Sequence, residues 1–414
     1  MALEIRPYRE DEAQAFARVP PIVFGNYAGD DRVVADRGGI GIRPEWSLCA
    51  FEDGTLATTY GAFPLVMRLN GAKAPVAGVT VVGTLPWYRR RGHLRKIMET
   101  DFKRRYEQRM EPIAGLLASI AAIYQRYGYA VCSTAVRYQI DPQKVAFAPS
   151  VPNAEGTWRE GTADELPLLE RMYREFAKGR NGYLHRAPVI WEGQVMGRGG
   201  PATGAGDFGP SVVAIYEEGG GPKGYVAYAA KEPPAIEGVG QGQRVMVRDF
   251  VWNTAGAYRA IWEHLKTFDL ANRIWINSAP IDDPAPHIML DPRELHATHR
   301  DHLLGRIIDV ERALPLRPYG AEGRVTFELR DEMCPWNAGR WALEAGAEGA
   351  TVSRTKDAPQ LTLDVSALVQ LLFGQVSPSL AVRFGRADAA PEAPLSLWDA
   401  IWRTEYAPFC PDWF

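Results

Sequence analysis

Apolar and polar positions along the first 145 residues alternate between strand-like and helix-like spacing. Residues 46–50 and 58–67 read as strands of a meander, and residues 76–84 as a third, Val-rich strand. Pro86 stops that strand, because proline has no N–H to give to a ladder. The spacing then lengthens, and Leu94, Ile97, Met98 and Phe102 fall on one face of a helix. Residues 113–119 predict a buried strand, residues 121–126 a short helix capped by Gly128, and residues 129–138 a closing strand.

Residues 148–156, rich in Pro, Asn and Gly, read as a linker. A second unit opens at Thr162-Ala163-Asp164-Glu165, which fits a capping box, and its helix carries Leu168, Leu169, Met172 and Phe176. Residues 212–216, 225–230 and 245–252 predict strands. A helix over 255–270 turns Ile261, Trp262, Leu265 and Phe268 inward, and residues 274–277 form one more strand. This order loosely repeats the first unit, so a duplicated fold is expected. Residues 281–286 break the pattern. The third segment is an α+β domain with an element over 303–314, strands near 325–329, a helix over 365–373 and a last helix near 395–402.

Length agrees with this division, since 414 residues suggest two to three domains at roughly 150 residues each. With 46% apolar and 23% charged residues the chain can build several cores, which excludes a wholly disordered protein. Lys and Arg number 47 against 50 Asp and Glu, so a chain-wide grip on nucleic acid is not expected, although a local basic patch stays possible. Cys49, Cys132, Cys334 and Cys410 are far apart and form no CxxC pair, which argues against a zinc ribbon, a redox dithiol or a disulfide scaffold. The first residues lack the apolar core of a signal peptide, and nowhere do 18 apolar residues run without a charge. A cytoplasmic protein with no membrane partner is expected.

Several tempting signals are set aside. His296, His299 and His302 recur every third residue, but nothing completes a metal site, and they read as a polar helix face. The glycine-rich loop at 197–209 lacks the Gly-Lys-Ser/Thr ending of a phosphate loop. Gly219, Gly220 and Gly221 suggest a hairpin turn, and Cys410 a packing role.

Two segments carry chemistry. In Val79-Thr80-Val81-Val82-Gly83-Thr84-Leu85-Pro86-Trp87-Tyr88-Arg89-Arg90-Arg91-Gly92-His93-Leu94-Arg95 a strand runs into an Arg-rich turn that opens a helix. Helix N–H groups, the helix dipole and Arg89 and Arg90 make such a turn a cradle for a pyrophosphate, and Gly92 lets the backbone come close. The plain alternative is a basic helix start on a solvated face. The second segment, residues 117–129, places Tyr124 four residues before Gly128, just after a buried strand. A tyrosine there can protonate a leaving thiolate, or simply pack in the core.

At this spacing the two segments together resemble the GNAT acetyltransferase superfamily. The first is similar to its Arg/Gln-x-x-Gly-x-Gly/Ala motif, with Leu94 in place of the last small residue. The run Pro86-Trp87-Tyr88-Arg89-Arg90-Arg91-Gly92-His93-Leu94-Arg95 and the segment Ile123-Tyr124-Gln125-Arg126-Tyr127-Gly128-Tyr129 resemble the Eis (enhanced intracellular survival) acetyltransferases. The likeness extends weakly over the full length, through Asp283-Pro284-Ala285-Pro286-His287 and Arg306-Ile307-Ile308-Asp309-Val310. It implies α/β mixed sheets in tandem GNAT folds, then a sterol-carrier-protein-like α+β domain, in a hexamer. The expected bounds are 1–147, 148–295 and 296–414. The resemblance also implies that only the first half binds acetyl-CoA, and the sequence agrees, since Arg248-Asp249-Phe250-Val251-Trp252-Asn253-Thr254-Ala255 stands where the second phosphate turn would be and has no matching glycine.

The resemblance also assigns roles. Val81, Val82 and Thr84 should meet the pantetheine arm, Arg89, Arg90, Gly92 and His93 the pyrophosphate, and Ser119 should lie near the cofactor. Tyr124 should be the general acid and the α-carboxylate of Phe414 the general base, with Asp412 as a second carboxylate that could take the role. Phe24 and Trp413 are expected on the acceptor side, while Asn26 falls near a family aspartate. No metal is expected. The acceptor should be a small-molecule amine or a lysine, such as an aminoglycoside or a polyamine-like molecule. Only about one alkyl amine in a thousand is free at pH 7, so a base must take its proton. Val82 is the N–H donor for the oxyanion. A dedicated biosynthetic acyltransferase for one amine and a non-catalytic acyl-CoA or lipid binder are the other readings.

Overall fold

The computed structural model describes residues 2–27, 29, 41–198, 208–232 and 242–414. The chain divides into two compact units. One holds Met1–Cys132, Leu303–Thr404 and Phe414, and the other holds Ser133–His302 and Glu405–Trp413.

In chain order the first stretch has β1 (Leu3–Arg6), α1 (Ala13–Phe24), β2 (Cys49–Glu52), β3 (Thr55–Leu69), β4 (Ala72–Thr84), α2 (His93–Glu107), β5 (Ile113–Leu117), α3 (Ala121–Gln125) and β6 (Ala130–Val131). The second has β7 (Thr134–Ile140), β8 (Thr157–Glu160), α4 (Leu166–Ala177), β9 (Val212–Glu218), β10 (Gly221–Lys231), β11 (Gln243–Trp252), α5 (Ala255–Lys266), β12 (Ala271–Pro280) and β13 (Thr298–Asp301). The third has β14 (Leu303–Ile307), β15 (Gly323–Arg330), β16 (Gly339–Gly346), β17 (Gly349–Arg354), β18 (Leu361–Asp364), α6 (Val365–Phe373), α7 (Pro378–Arg383), β19 (Ala387–Ala389) and α8 (Leu395–Ile401).

The first sheet has the order β1-β2-β3-β4-β5-β14-β6. Its long hairpin turns at Asn70 and Gly71, which hold φ of 47° and 89°, the left-handed pair that a tight two-residue turn needs. From α2, Ile97, Met98 and Phe102 pack on Ala77, Val79, Ala114, Leu116 and Leu304. Each such apolar side chain contributes about 2 kcal/mol when fully buried.

The second sheet has the order β13-β7-β12-β11-β10-β9-β8 and is covered on both faces. Along β10, Val226 and Tyr228 face α5, with its Tyr258, Ile261, Trp262 and Leu265, while Tyr225 and Ala227 face α4, with its Leu169, Met172, Tyr173 and Phe176. Period-two alternation thus buries both sides. The capping box at Thr162 and Glu165 forms, and Gly219 and Gly220 turn the β9–β10 hairpin with positive φ. The third sheet, β17-β16-β15-β18-β19, belongs to the first unit.

Three expectations are corrected. The strand expected over 129–138 is broken at Cys132 and Ser133, so β6 stays in the first sheet and β7 enters the second. Leu303–Ile307 is a strand of the first sheet, between β5 and β6, and not a helix or strand of the third segment. Its five residues are all buried, and a fully buried strand carries no mark in the sequence of which sheet it joins. The three histidines share no helix face. His296 ends a short 3₁₀ turn with φ of 42°, His299 lies in β13 and His302 is buried. Residues 199–207 of the glycine-rich loop lie outside the described residues. No helix among the described residues is long and apolar enough to cross a membrane.

Candidate active site

The site grows from one irregularity in β4. Strands β4 and β5 pair in parallel from Val76 with Ile113 to Val79 with Leu116, and there the pairing ends, although β4 runs on to Thr84. On its other edge β4 slips register against β3 between the Gly61–Thr80 and Thr59–Gly83 pairs, so Tyr60 opposes both Val81 and Val82. This is a β-bulge, which bends its strand and interrupts the ladder. Val81 sits at φ 50°, a left-handed conformation that is costly for a β-branched residue. The Thr59 hydroxyl donates to the Val81 carbonyl at 2.8 Å and holds it there. The result is a wedge with residues 80–84 on one lip and residues 117–119 on the other. Ser119 is exposed just beyond β5.

The β4 lip leads into the basic turn. Pro86–Tyr88 makes a 3₁₀ turn, Arg90 takes φ 64°, and Gly92 caps α2 at φ 81°. A Cβ on Gly92 would meet nothing within 4 Å, so the demand there is conformational. The first N–H groups of α2 have no helical partner and carry the positive end of its dipole. Arg89 and Arg90 are exposed, and Arg89 Nε donates to the Thr84 carbonyl at 3.2 Å. Arg91 turns away, pairing with Glu52 and lying over the Tyr88 ring.

His93 is a correction in part. Its side chain is buried, with Nε2 3.1 Å from Glu52 and Nδ1 3.2 Å from the Thr58 hydroxyl. Only its backbone N–H is left to serve an anion. The partners Glu52 and Thr58 had no signal in the sequence, because they come from β2 and β3.

Tyr124 stands on α3, with its ring 5.9 Å from that of Tyr129, edge to face. Among the described residues its hydroxyl makes no hydrogen bond. Burial pushes the phenol up to about 12, so it keeps its proton at neutral pH.

Around the wedge the first unit adds two aromatics. α1 packs Phe16 and Val19 with Phe51, Leu56 and Leu85, and Val23 lies 3.3 Å from where a Cβ on Gly83 would be. The helix therefore ends beside β4, and Phe24, its last residue, is 48% exposed. Asn26 follows, also exposed. The ring of Phe414 lies against Gly78, with Cδ2 3.0 Å from the place a Cβ would take. Gly78 directly precedes Val79, the last residue of β4 to pair with β5.

In the second unit the corresponding strands also part. β11 and β12 pair as far as Val247 with Ile276. Beyond that point a cavity of about 90 Å³ is lined by Arg248, Phe250, Asn277, Ser278, Phe409 and Trp413. Where a phosphate turn would stand, Trp252 packs on Phe176, Phe250 and Tyr258, and Thr254 caps α5 by accepting from the Ala257 N–H at 3.0 Å. Trp413 is 50% exposed, and the Gln194 side-chain amide accepts from its N–H at 2.8 Å and donates to its carbonyl.

Asp412 is a second correction. It is buried and accepts from Arg186 Nε at 2.8 Å, so it is not free to act as a base. Sequence reasoning missed Arg186 and Gln194 altogether, since neither belongs to a motif: Arg186 lies outside the helices and strands, and Gln194 in a short π-helical turn, Trp191–Val195. Among the described residues no three His, Cys, Asp or Glu side chains come together as metal ligands.

Comparison with known proteins gives three domain matches. Residues 4–132 and residues 182–307 each match an acetyltransferase (GNAT) domain, and residues 310–411 match a sterol carrier protein domain. An uncharacterized N-acetyltransferase of Streptomyces coelicolor is 32% identical over 86% of this chain and 85% of its own length. N-acetyltransferase Eis of Mycobacterium tuberculosis is 29% identical over 80% of this chain and 79% of its own. The crystal structure of Eis1 from Mycobacterium abscessus superimposes with a TM-score of 0.81 at 26% identity and covers all of both chains.

Proposed function

The chain belongs to the Eis-like GNAT N-acetyltransferases, and from that premise we propose that it moves the acetyl group of acetyl-CoA to a primary amine by direct attack. The observation that carries this reading is the wedge between β4 and β5, which leads to an exposed Arg89–Arg90 turn at the N-terminus of α2. The two ends suit one molecule. The wedge offers backbone groups of Val81, Val82 and Thr84 to an extended amide arm, with Ser119 on the other lip. The turn offers N–H groups of Gly92 and His93 and two guanidinium groups to a pyrophosphate.

The residues then divide the proton work. The α-carboxylate of Phe414 takes the proton from the attacking nitrogen as the N–C bond forms. Val82 offers its N–H to the carbonyl oxygen as charge develops there. As the C–S bond breaks, Tyr124 gives its proton to the sulfur and regains one from solvent. Phe24 and Trp413 supply apolar faces to the acceptor, for which an aminoglycoside, a polyamine-like molecule or a lysine are the classes to test. The family resemblance further suggests a six-subunit cytoplasmic assembly, which light scattering on the purified protein tests.

Thiol release from acetyl-CoA, measured with a panel of polyamines, aminoglycosides and lysine peptides, tests the reaction. The expected result is amine-dependent release with at least one of these classes. Tight acetyl-CoA binding with no thiol release for any amine would replace the enzyme with a binding protein.

A further inference from the structure

One face of the second sheet gathers cations that acetyl transfer does not use. On β7, β12 and β11, Tyr138, Ile140, Ile274, Ile276, Val245 and Val247 pack under α5. Period-two alternation sends their neighbours Arg137, Gln139, Arg273, Trp275, Arg244 and Met246 to the opposite face. In β13, Arg300 pairs with Ala135, which packs on the α4 side, so Arg300 joins them. Four arginines thus share one face of four neighbouring strands. Residues 135–139, 244–246, 273–275 and 298–300 contain no carboxylate, and Asp301 alternates to the other side of β13.

Buried arginines elsewhere are answered. Arg186 pairs with Asp249 and Asp412, Arg306 with Asp331, and Arg105 with Asp101 and Glu111. Arg317 gives its N–H groups to the carbonyls of Leu371, Leu372 and Trp402 at 3.0 to 3.1 Å. Arg137 and Arg300 have neither arrangement. The Nε of each is buried without a hydrogen-bond partner, and so is Nε1 of Trp275 on the next strand. Arg300 gives one bond, from Nη2 to the Asn277 carbonyl at 3.0 Å. Among the described residues neither guanidinium makes an ion pair. The two are diagonal neighbours across β7 and β13. Burial, and then Arg137, hold the Arg300 guanidinium below its ordinary value, with Asp301 acting the other way. Half-buried like charges with unanswered donors destabilise the empty protein and favour an anion beside them. Charges kept at such a cost mark functional sites.

We propose that Arg137 and Arg300 form a binding site in the second unit for a small phosphate-bearing anion. The site stands apart from the acetyl-transfer reading and does not depend on it. A carboxylate brings one charge and two oxygens in a plane, which a single guanidinium fork satisfies. A phosphate monoester or diphosphate brings close to two charges and at least three acceptor oxygens, which suits donors arriving from two strands. The recess also selects a small ligand. Both guanidinium groups are half-buried, whereas a nucleic-acid backbone is gripped by a row of exposed cations, and the chain as a whole carries a net charge of -3.

The test titrates inorganic pyrophosphate by calorimetry at low ionic strength. The full chain carries Arg89→Ala and Arg90→Ala, so that the turn before α2 adds no signal. Saturable binding is expected. Adding Arg137→Gln or Arg300→Gln should weaken it at least about tenfold. Arg137→Lys keeps the charge and loses the fork, so it should weaken binding by about threefold, and it carries the test if the Gln proteins do not fold. Arg244→Gln, on the same face but two strands from β7, should change affinity by less than about twofold. Without pyrophosphate the Gln proteins should melt no lower than their background, because a repulsion is relieved. Competition by acetyl-CoA would place the phosphate on the acyl donor, and its absence on another phosphorylated metabolite, and either supports the site. No saturable binding, or an equal loss in Arg244→Gln, overturns the proposal. So does citrate bound as tightly as pyrophosphate, which makes the site one for carboxylates, or a single-stranded oligonucleotide bound more tightly, which makes the face a nucleic-acid surface.

Discussion

At the scale of single residues the site is a division of charge. Arg91 pairs with Glu52 and His93 lies beside it, while Arg89 and Arg90 are exposed and turned away from that carboxylate. Replacing both by Ala should weaken acetyl-CoA binding by at least about tenfold in calorimetry, with a smaller salt dependence than the parent. Unchanged affinity would remove the pyrophosphate from this turn. Tyr124→Phe deletes only a hydroxyl, and kcat should fall at least about tenfold while acetyl-CoA affinity stays within about twofold. Parent-level kcat under rate-limiting chemistry would excuse Tyr124.

Two buried groups also make the second unit sensitive to pH. Burial, and then Arg300, hold His302 down at about 4 against an ordinary 6.5. It favours the folded state above about 6.5, and that contribution is lost as pH falls towards 4. Burial raises Asp283 from 3.8 to about 6, so its contribution is present below about 4 and is lost as pH rises through 6. Thermal unfolding followed across pH should show a shallower acid limb in His302→Asn and a shallower loss of stability between about pH 4 and 6 in Asp283→Asn. Parallel curves for parent and variants would show that neither group titrates as its burial implies.

At the scale of elements, the wedge depends on β4 keeping a bulge that strand propensity alone would remove. Nothing in Val79-Thr80-Val81-Val82-Gly83 marks a break, and the run reads as an ordinary strand. The slip appears only when Tyr60 is set opposite it. The tail has a similar dependence on a single backbone position. Gly182 holds φ 90°, and a Cβ there would come within 2.6 Å of the Phe409 carbonyl oxygen. Gly182→Ala should therefore lift residues 408–410, at a cost on the order of 2 kcal/mol, and expose the tail to carboxypeptidase. A variant digested at the parent rate would show that the tail tolerates the shift.

At the scale of the whole molecule, the first unit is assembled from distant stretches of chain. β14 enters its sheet beside β5, and Arg306 of that strand pairs with Asp331 at 2.7 Å with both side chains fully buried. Asp331 also accepts from Asn337 and from the Cys334 N–H. Asp331→Ala strands a buried guanidinium and should destabilise the protein by about 3–5 kcal/mol, visible as a lower Tm. The double change Arg306→Met with Asp331→Leu should cost less, because no ion is left unpaired. The reverse order would mean that the pair is held for more than its charge.

Local chemistry and periodicity in the sequence determined the element types, the repeat of two similar halves, the basic turn before α2, the Tyr124 position and the family. Each of these is written in neighbouring residues: helix faces at Leu94, Ile97, Met98 and Phe102, a capping box at Thr162, a turn at Gly219 and Gly220. Only the tertiary structure decided which strand joins which sheet, that His93 faces Glu52 rather than a phosphate, and that Asp412 is held by Arg186. These are pairings across long sequence separation. A buried strand such as Leu303–Ile307 satisfies its hydrogen bonds equally well with any neighbour, and a buried carboxylate takes whichever cation the fold brings, so the choice is made by packing and not by pattern.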